Sequence, residues 1–134
     1  MSPRPADILT SIIAADGVGS VIARHLGRPE AQASGDIAWR MTVARAASDG
    51  APRAGIEAWL GPARHAVAYP VRGGRETNLV LIGRSRDVAG DLTGSVAKDR
   101  LLARFAGWDP RLRTLIAAAG PSTAWPLSTR RPSI

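Results

Sequence analysis

The chain reads as an α+β protein, with an antiparallel or mixed sheet of four or more strands and helices on one side. Three observations predict this. The segment from Gly35 to Arg45 alternates apolar and polar residues at a period of two. The segments Ile56 to Leu60, Arg64 to Val71 and Glu76 to Gly83 follow as short strand-like runs joined by glycine-containing turns, the signature of a meander. Beyond Lys98 the apolar spacing becomes helical. With 134 residues, 45% of them hydrophobic, residues 1–134 are expected to form a single domain with a real core.

The elements follow in order. Asp7 to Ala15 is a nearly continuous apolar run with three isoleucines, closed by Asp16-Gly17, and predicts a buried strand. From Ser20, which can act as an N-cap, Val21, Ile22, His25 and Leu26 recur at helical spacing until Gly27 and Pro29 stop the helix. Gly35 to Arg45 places Ile37, Trp39, Met41 and Val43 on one strand face, with Asp36, Ala38, Arg40, Thr42 and Ala44 on the other. Ser48 to Gly55 and Ser85 to Ser95 read as loops from their Asp, Gly and Pro content. Gly61-Pro62-Ala63 and Arg72-Gly-Gly-Arg75 are the turns of the meander. Lys98 to Phe105 sets Leu101, Leu102 and Phe105 on one helical face, with Arg100 and Arg104 opposite. Asp109-Pro110 is an N-cap acid followed by proline at the first helical position, and Leu112, Leu115 and Ile116 form the apolar side of that helix up to Gly120. Thr123 to Arg130 predicts a last strand, confined to an edge or a bulge by Pro126.

Composition excludes some chemistries. There is no cysteine, hence no disulfide, thiolate metal site or cysteine nucleophile, and no metal centre is expected. The N-terminal residues lack a signal-peptide order and no apolar run reaches bilayer length, so a cytoplasmic protein without a membrane partner is expected. The formal charge of +7 comes almost wholly from arginines spread along the chain, with Lys98 the only lysine. Aromatic content is 4%, which argues against a nucleic-acid partner that would need a basic face and stacking groups.

The ordered motifs are Ala14-Ala-Asp-Gly-Val-Gly-Ser20, Ala38-Trp-Arg40, Trp59-Leu-Gly-Pro62, Arg64-His65, Tyr69-Pro-Val-Arg-Gly-Gly74, Leu101-Leu-Ala-Arg-Phe-Ala-Gly-Trp108, Pro110 to Leu115 and Trp125-Pro-Leu127. Together they resemble the middle part of the class A FAD-dependent aromatic monooxygenases, the group of the salicylate and 3-hydroxybenzoate hydroxylases. Ala23 and Met41 depart from the family pattern, which commonly has an arginine and a glycine there.

The resemblance implies a strand, Asp-Gly turn and helix over 7–27 belonging to the FAD-binding part, and a substrate-binding sheet with helices over 34–130. It implies FAD and NAD(P)H as cofactors, with Asp16 at a flavin ribityl hydroxyl and Gly17 admitting the pyrophosphate and the nicotinamide nucleotide. It also implies His65 and Tyr69 as catalytic and substrate-binding residues, and Arg40 as a substrate-binding residue that holds a carboxylate or a developing negative charge. Spacing alone puts His65 and Tyr69 on one strand face, where a half-buried packed pair is the other reading. The four tryptophans are expected in core or interface positions rather than in catalysis.

Neither the Gly-x-Gly-x-x-Gly fingerprint nor the family's Gly-Asp-Ala-Ala-His type motif occurs in these residues. The expectation is therefore a partial monooxygenase, whether a split or truncated product or an excised domain. Alone it should be inactive and weak in FAD binding. Its partners would be a small aromatic substrate and a separate chain carrying the rest of the FAD domain, and its uncovered apolar strand faces predict self-association. The alternative is a stand-alone aromatic-ligand-binding module without redox activity.

Overall fold

The alternating run around Trp39 becomes the longest strand of a five-stranded sheet. In the computed structural model, which describes residues 13–45, 52, 55–84 and 95–131, with backbone alone over 95–97, the elements are as follows. A short helix α1 (Val21–His25) precedes β1 (Gln32–Ala44), β2 (Glu57–Gly61), β3 (Arg64–Val71) and β4 (Glu76–Arg84). Helices α2 (Ser95–Arg104) and α3 (Pro110–Ala118) and the strand β5 (Thr123–Thr129) complete the order. The described residues divide into two compact units, one up to Gln32 and from Ser128 onward, the other Ala33–Leu127.

The sheet order is β2-β3-β4-β1-β5. The β2–β3, β3–β4 and β4–β1 pairs are antiparallel. The meander is closed by two tight turns. In the first, Pro62 is followed by Ala63 at φ 55, a left-handed conformation in a residue with a Cβ. In the second, Arg72, Gly73 and Gly74 all have positive φ, from 52 to 80.

The core lies on one face of the sheet. Trp39, Met41 and Val43 of β1, Ala66 and Ala68 of β3, and Leu79 and Leu81 of β4 pack with Leu101 and Phe105 and with Leu112, Leu115 and Ile116 of α3. The period of two in the strands and the helical spacing of the leucines thus meet in one layer of sheet and helices. Each fully buried leucine or isoleucine there contributes about 1.5–3 kcal/mol relative to exposure. Asp109 caps α3, accepting a hydrogen bond from the Arg111 amide at 2.8 Å and another from Trp59 Nε1 at 2.9 Å, which ties the helix start to β2. Arg111 adds a two-pronged bridge to Glu57, at 2.7 and 2.8 Å.

Some expectations change. Ile13 to Ala15 lie in no strand and Ile13 is 92% exposed; an apolar run becomes a strand only against a ladder partner. Asp7 to Ile12, and the two loops apart from Pro52, Gly55 and Ser95, lie outside the described residues. Arg104 does not face solvent opposite the leucines. Its guanidinium carbon sits 5.3 Å from the Trp39 ring centroid, and its Nε and Nη1 are buried. Three residues beyond Leu101, it flanks the apolar stripe, and the indole face offers the cation a favourable seat.

Candidate functional site

The Asp-Gly turn builds itself through hydrogen bonds to one carboxylate. Asp16 Oδ1 accepts from the Ser20 hydroxyl at 2.5 Å, and Oδ2 accepts from the amides of Val21 at 2.9 Å and Ile22 at 3.3 Å. Ser20 Oγ in turn accepts from the Ala23 amide at 2.9 Å. Asp16 and Ser20 together satisfy amides that open α1 and would otherwise lack partners. The Ser20 hydroxyl, followed by the Ile22 and Val21 amides, holds the Asp16 carboxyl below its ordinary value of 3.8, against a smaller opposing effect of desolvation. Sequence spacing points to the Ser20 cap; the share Asp16 takes in it comes from the turn geometry.

Gly17 has φ +78, and a Cβ built there would meet nothing within 4 Å, so the backbone is both turned and open to close approach. A groove of about 330 Å³ runs beside the turn, lined by Val18, Gly19, Ser20, Arg24, Glu30 and Arg130 among others. The Arg130 guanidinium shapes its wall by donating to the carbonyls of Pro29 at 2.8 Å and Val18 at 3.0 Å. Sequence reasoning did not single out Arg130, because only the fold brings it to the turn.

Within the sheet, the face opposite the core collects the other predicted residues. Directly paired residues share a face, so Ala38, Ile82, His65 and Leu60 form one row, Arg40, Val80, Val67 and Ala58 the next, and Thr42, Asn78 and Tyr69 a third. Arg40, His65 and Tyr69 therefore stand on one surface. His65 and Tyr69 are half-buried and Arg40 is exposed. Arg40 Nε donates to Asn78 Oδ1 at 2.8 Å along the diagonal between rows. Asn78 is fully buried, and its amide nitrogen meets no acceptor among the described residues. The signal that could have marked it is an asparagine at the head of the apolar run Leu79-Val-Leu-Ile82, since this side chain is depleted in strands.

Three of the four tryptophans behave as anchors. Trp39 is fully buried, Trp59 is bonded to Asp109, and Trp108 packs edge-on to Phe105 at 4.8 Å. Trp125, on the edge strand β5, is 57% exposed. Among the described residues no group of acidic, histidine or cysteine side chains could hold a metal ion, and no helix is long and apolar enough to cross a membrane.

No family model matches the chain. It is 40% identical over 121 residues to the FAD-dependent monooxygenase atnJ of Arthrinium sp, a match spanning 82% of this chain and 29% of that protein. It is 33% identical over 122 residues to 3-amino-4-hydroxybenzoate 2-monooxygenase of Streptomyces cremeus, covering 89% of this chain and 29% of the relative. With 3-hydroxybenzoate 6-hydroxylase of Klebsiella oxytoca the figures are 31% over 128 residues, 95% and 32%. The chain thus spans about three-tenths of the length of the curated relatives it matches.

Among solved structures the fold resembles a salicylate hydroxylase substrate complex, with TM-score 0.67 and 24% identity over 85% of this chain and 33% of that one. It also resembles HpxO of Klebsiella pneumoniae complexed with FAD and uric acid, with TM-score 0.71 and 24% identity over 90% and 31%. The resemblance carried by the motifs is borne out: the chain belongs with the FAD-dependent aromatic monooxygenases, as a part of one rather than its full length.

Proposed function

We propose that this chain supplies two elements to an aromatic hydroxylase: the Asp16-Gly17 turn to the flavin cofactor, and the open face of its sheet to a small aromatic substrate. The observation that carries the reading is the convergence of Arg40, His65 and Tyr69 on that face. The face combines apolar area from Val67, Val80 and Ile82 with a cation, an imidazole and a phenol, a composition that suits a planar ring with polar substituents.

The turn fits FAD on its own chemistry. Gly17 leaves room for close approach, and the exposed Asp16 carboxylate retains a lone pair on Oδ1 for a ribityl hydroxyl beyond those used in the cap. Arg24 and Arg130 beside the groove suit the phosphates of a dinucleotide, and NAD(P)H is the electron donor this reading carries. When bound, FAD supplies the redox chemistry that activates dioxygen.

The chain's own residues then do the following. Arg40 holds an anionic ring substituent, and the Tyr69 hydroxyl orients the ring by hydrogen bonding. The His65 imidazole accepts a phenolic proton, which raises the ring's electron density for electrophilic attack. The partner implied is the remainder of the flavin site, on the same polypeptide or on another. Salicylate titrated into the chain and followed by calorimetry is expected to bind. Binding should weaken by about tenfold or more in the combined variant His65→Ala, Tyr69→Ala. Unchanged affinity in that variant would remove the proposed site.

A further inference from the structure

We propose that Asn78 is a positioning residue that locks the Arg40 guanidinium on the open face and thereby makes the face select aromatic ligands with an anionic substituent. The proposal rests on the reading of this face as a substrate surface and adds to it the residue that enforces the preference for an anionic ligand.

Asparagine is an unusual residue for position 78. Asn78 is fully buried in β4, with strands paired on both sides, where a β-branched or aromatic residue would suit the ladder better. Its direct neighbours across the sheet are Thr42 and Tyr69, and its one described side-chain bond is to Arg40 Nε, at 2.8 Å. An arginine Nε can only donate, so the amide oxygen must face it, and the orientation of the amide follows from this bond. The consequence is visible on the other side of the group, where the buried Nδ2 has no acceptor. A buried polar side chain that leaves its nitrogen unpaired so that its oxygen can serve Arg40 is organised around that one contact.

The contact uses Nε, the inner edge of the guanidinium. The two terminal nitrogens, which form the fork that grips carboxylates in two parallel bonds, are left for another partner. Among the described residues no carboxylate pairs with Arg40. A neutral acceptor such as Asn78 fixes the guanidinium plane and leaves its positive charge uncompensated. An aspartate at 78 would fix it equally well and cancel the charge. Position 78 therefore sets both the direction and the effective charge of Arg40, one row away from Tyr69 and His65.

The test uses the full chain with benzoate and its neutral isostere benzamide, titrated by calorimetry, together with the proton–nitrogen signal of the Arg40 side-chain Nε–H. In the wild type that signal should be protected from solvent exchange, and benzoate should bind about tenfold more tightly than benzamide. In Asn78→Val, protection should be lost and the preference should vanish. In Asn78→Asp, protection should return while benzoate binding stays about tenfold weaker than in the wild type, benzamide changing by less than about twofold. Arg40→Gln should abolish the preference in the wild-type background.

A protected Arg40 signal in Asn78→Val, or wild-type benzoate affinity in Asn78→Asp, overturns the proposal. If Asn78→Val does not fold, Asn78→Asp and Arg40→Gln decide the matter alone. Equal binding of both ligands by the wild type refutes the selectivity and leaves the substrate-face reading standing. Binding of neither ligand refutes both.

Discussion

Asp16 fastens its turn with one carboxylate. Three of its acceptor positions serve Ser20, Val21 and Ile22, so the side chain is fixed before any ligand arrives. A fixed acceptor loses less freedom on binding than a mobile one, which suits the cofactor role proposed for this turn. Because its carboxyl titrates below 3.8, the contribution to local stability is complete above that value and is lost as pH falls through the lower folded-state value. The amide resonances of Val21 and Ile22 are therefore expected to shift together on acidification, with a midpoint below 3.8; a midpoint at or above it would show that the cap contributes nothing. The Asp-Gly dipeptide was legible as a turn, but its hydrogen bonds were not, because they depend on the φ of Gly17 and the placement of Ser20. The His65 and Tyr69 pairing followed from strand alternation alone. Asn78 escaped because a diagonal contact requires the register between β1 and β4.

At the scale of elements, the β2–β3 hairpin meets the segment between α2 and α3 in close contact. A Cβ at Gly61 would lie 2.7 Å from the Trp108 ring, a ring itself held against Phe105. Gly61→Ala is expected to cost about 1–3 kcal/mol, read as a lowered denaturation midpoint, because a packed indole cannot move aside as a surface side chain can. An unchanged midpoint would mean that the ring relocates freely. Elements whose cause is local were readable from sequence: the alternation of β1, the Asp109-Pro110 start of α3 and the turn at Gly61-Pro62-Ala63 all appear where their residues place them. Elements whose cause is tertiary were not. Ile13 to Ala15 have a strand's composition without a described neighbour to pair with, and Arg104 has a surface residue's chemistry in a place chosen by Trp39.

For the molecule as a whole, the sheet order β2-β3-β4-β1-β5 separates two kinds of pairing. The meander joins strands that are neighbours in sequence, whereas β5 completes the opposite edge. There the Ser34 hydroxyl donates to the Leu127 carbonyl across 93 positions of chain, at 2.9 Å. Contacts between neighbouring segments close small loops, while a contact of that separation must overcome the entropy of a long one. Assembly is thus expected to run from the β2–β3–β4 meander outward, with the β5 edge docking last and opening first. In hydrogen exchange, the amides linking β1 and β5 should exchange sooner than those between β3 and β4, and simultaneous exchange of both sets would refute this order. The long reach from Ser34 to Leu127 then acts as a late latch: the edge nearest the end of the described chain is the last to commit, and the sheet can breathe there while the Arg40, His65 and Tyr69 rows stay closed.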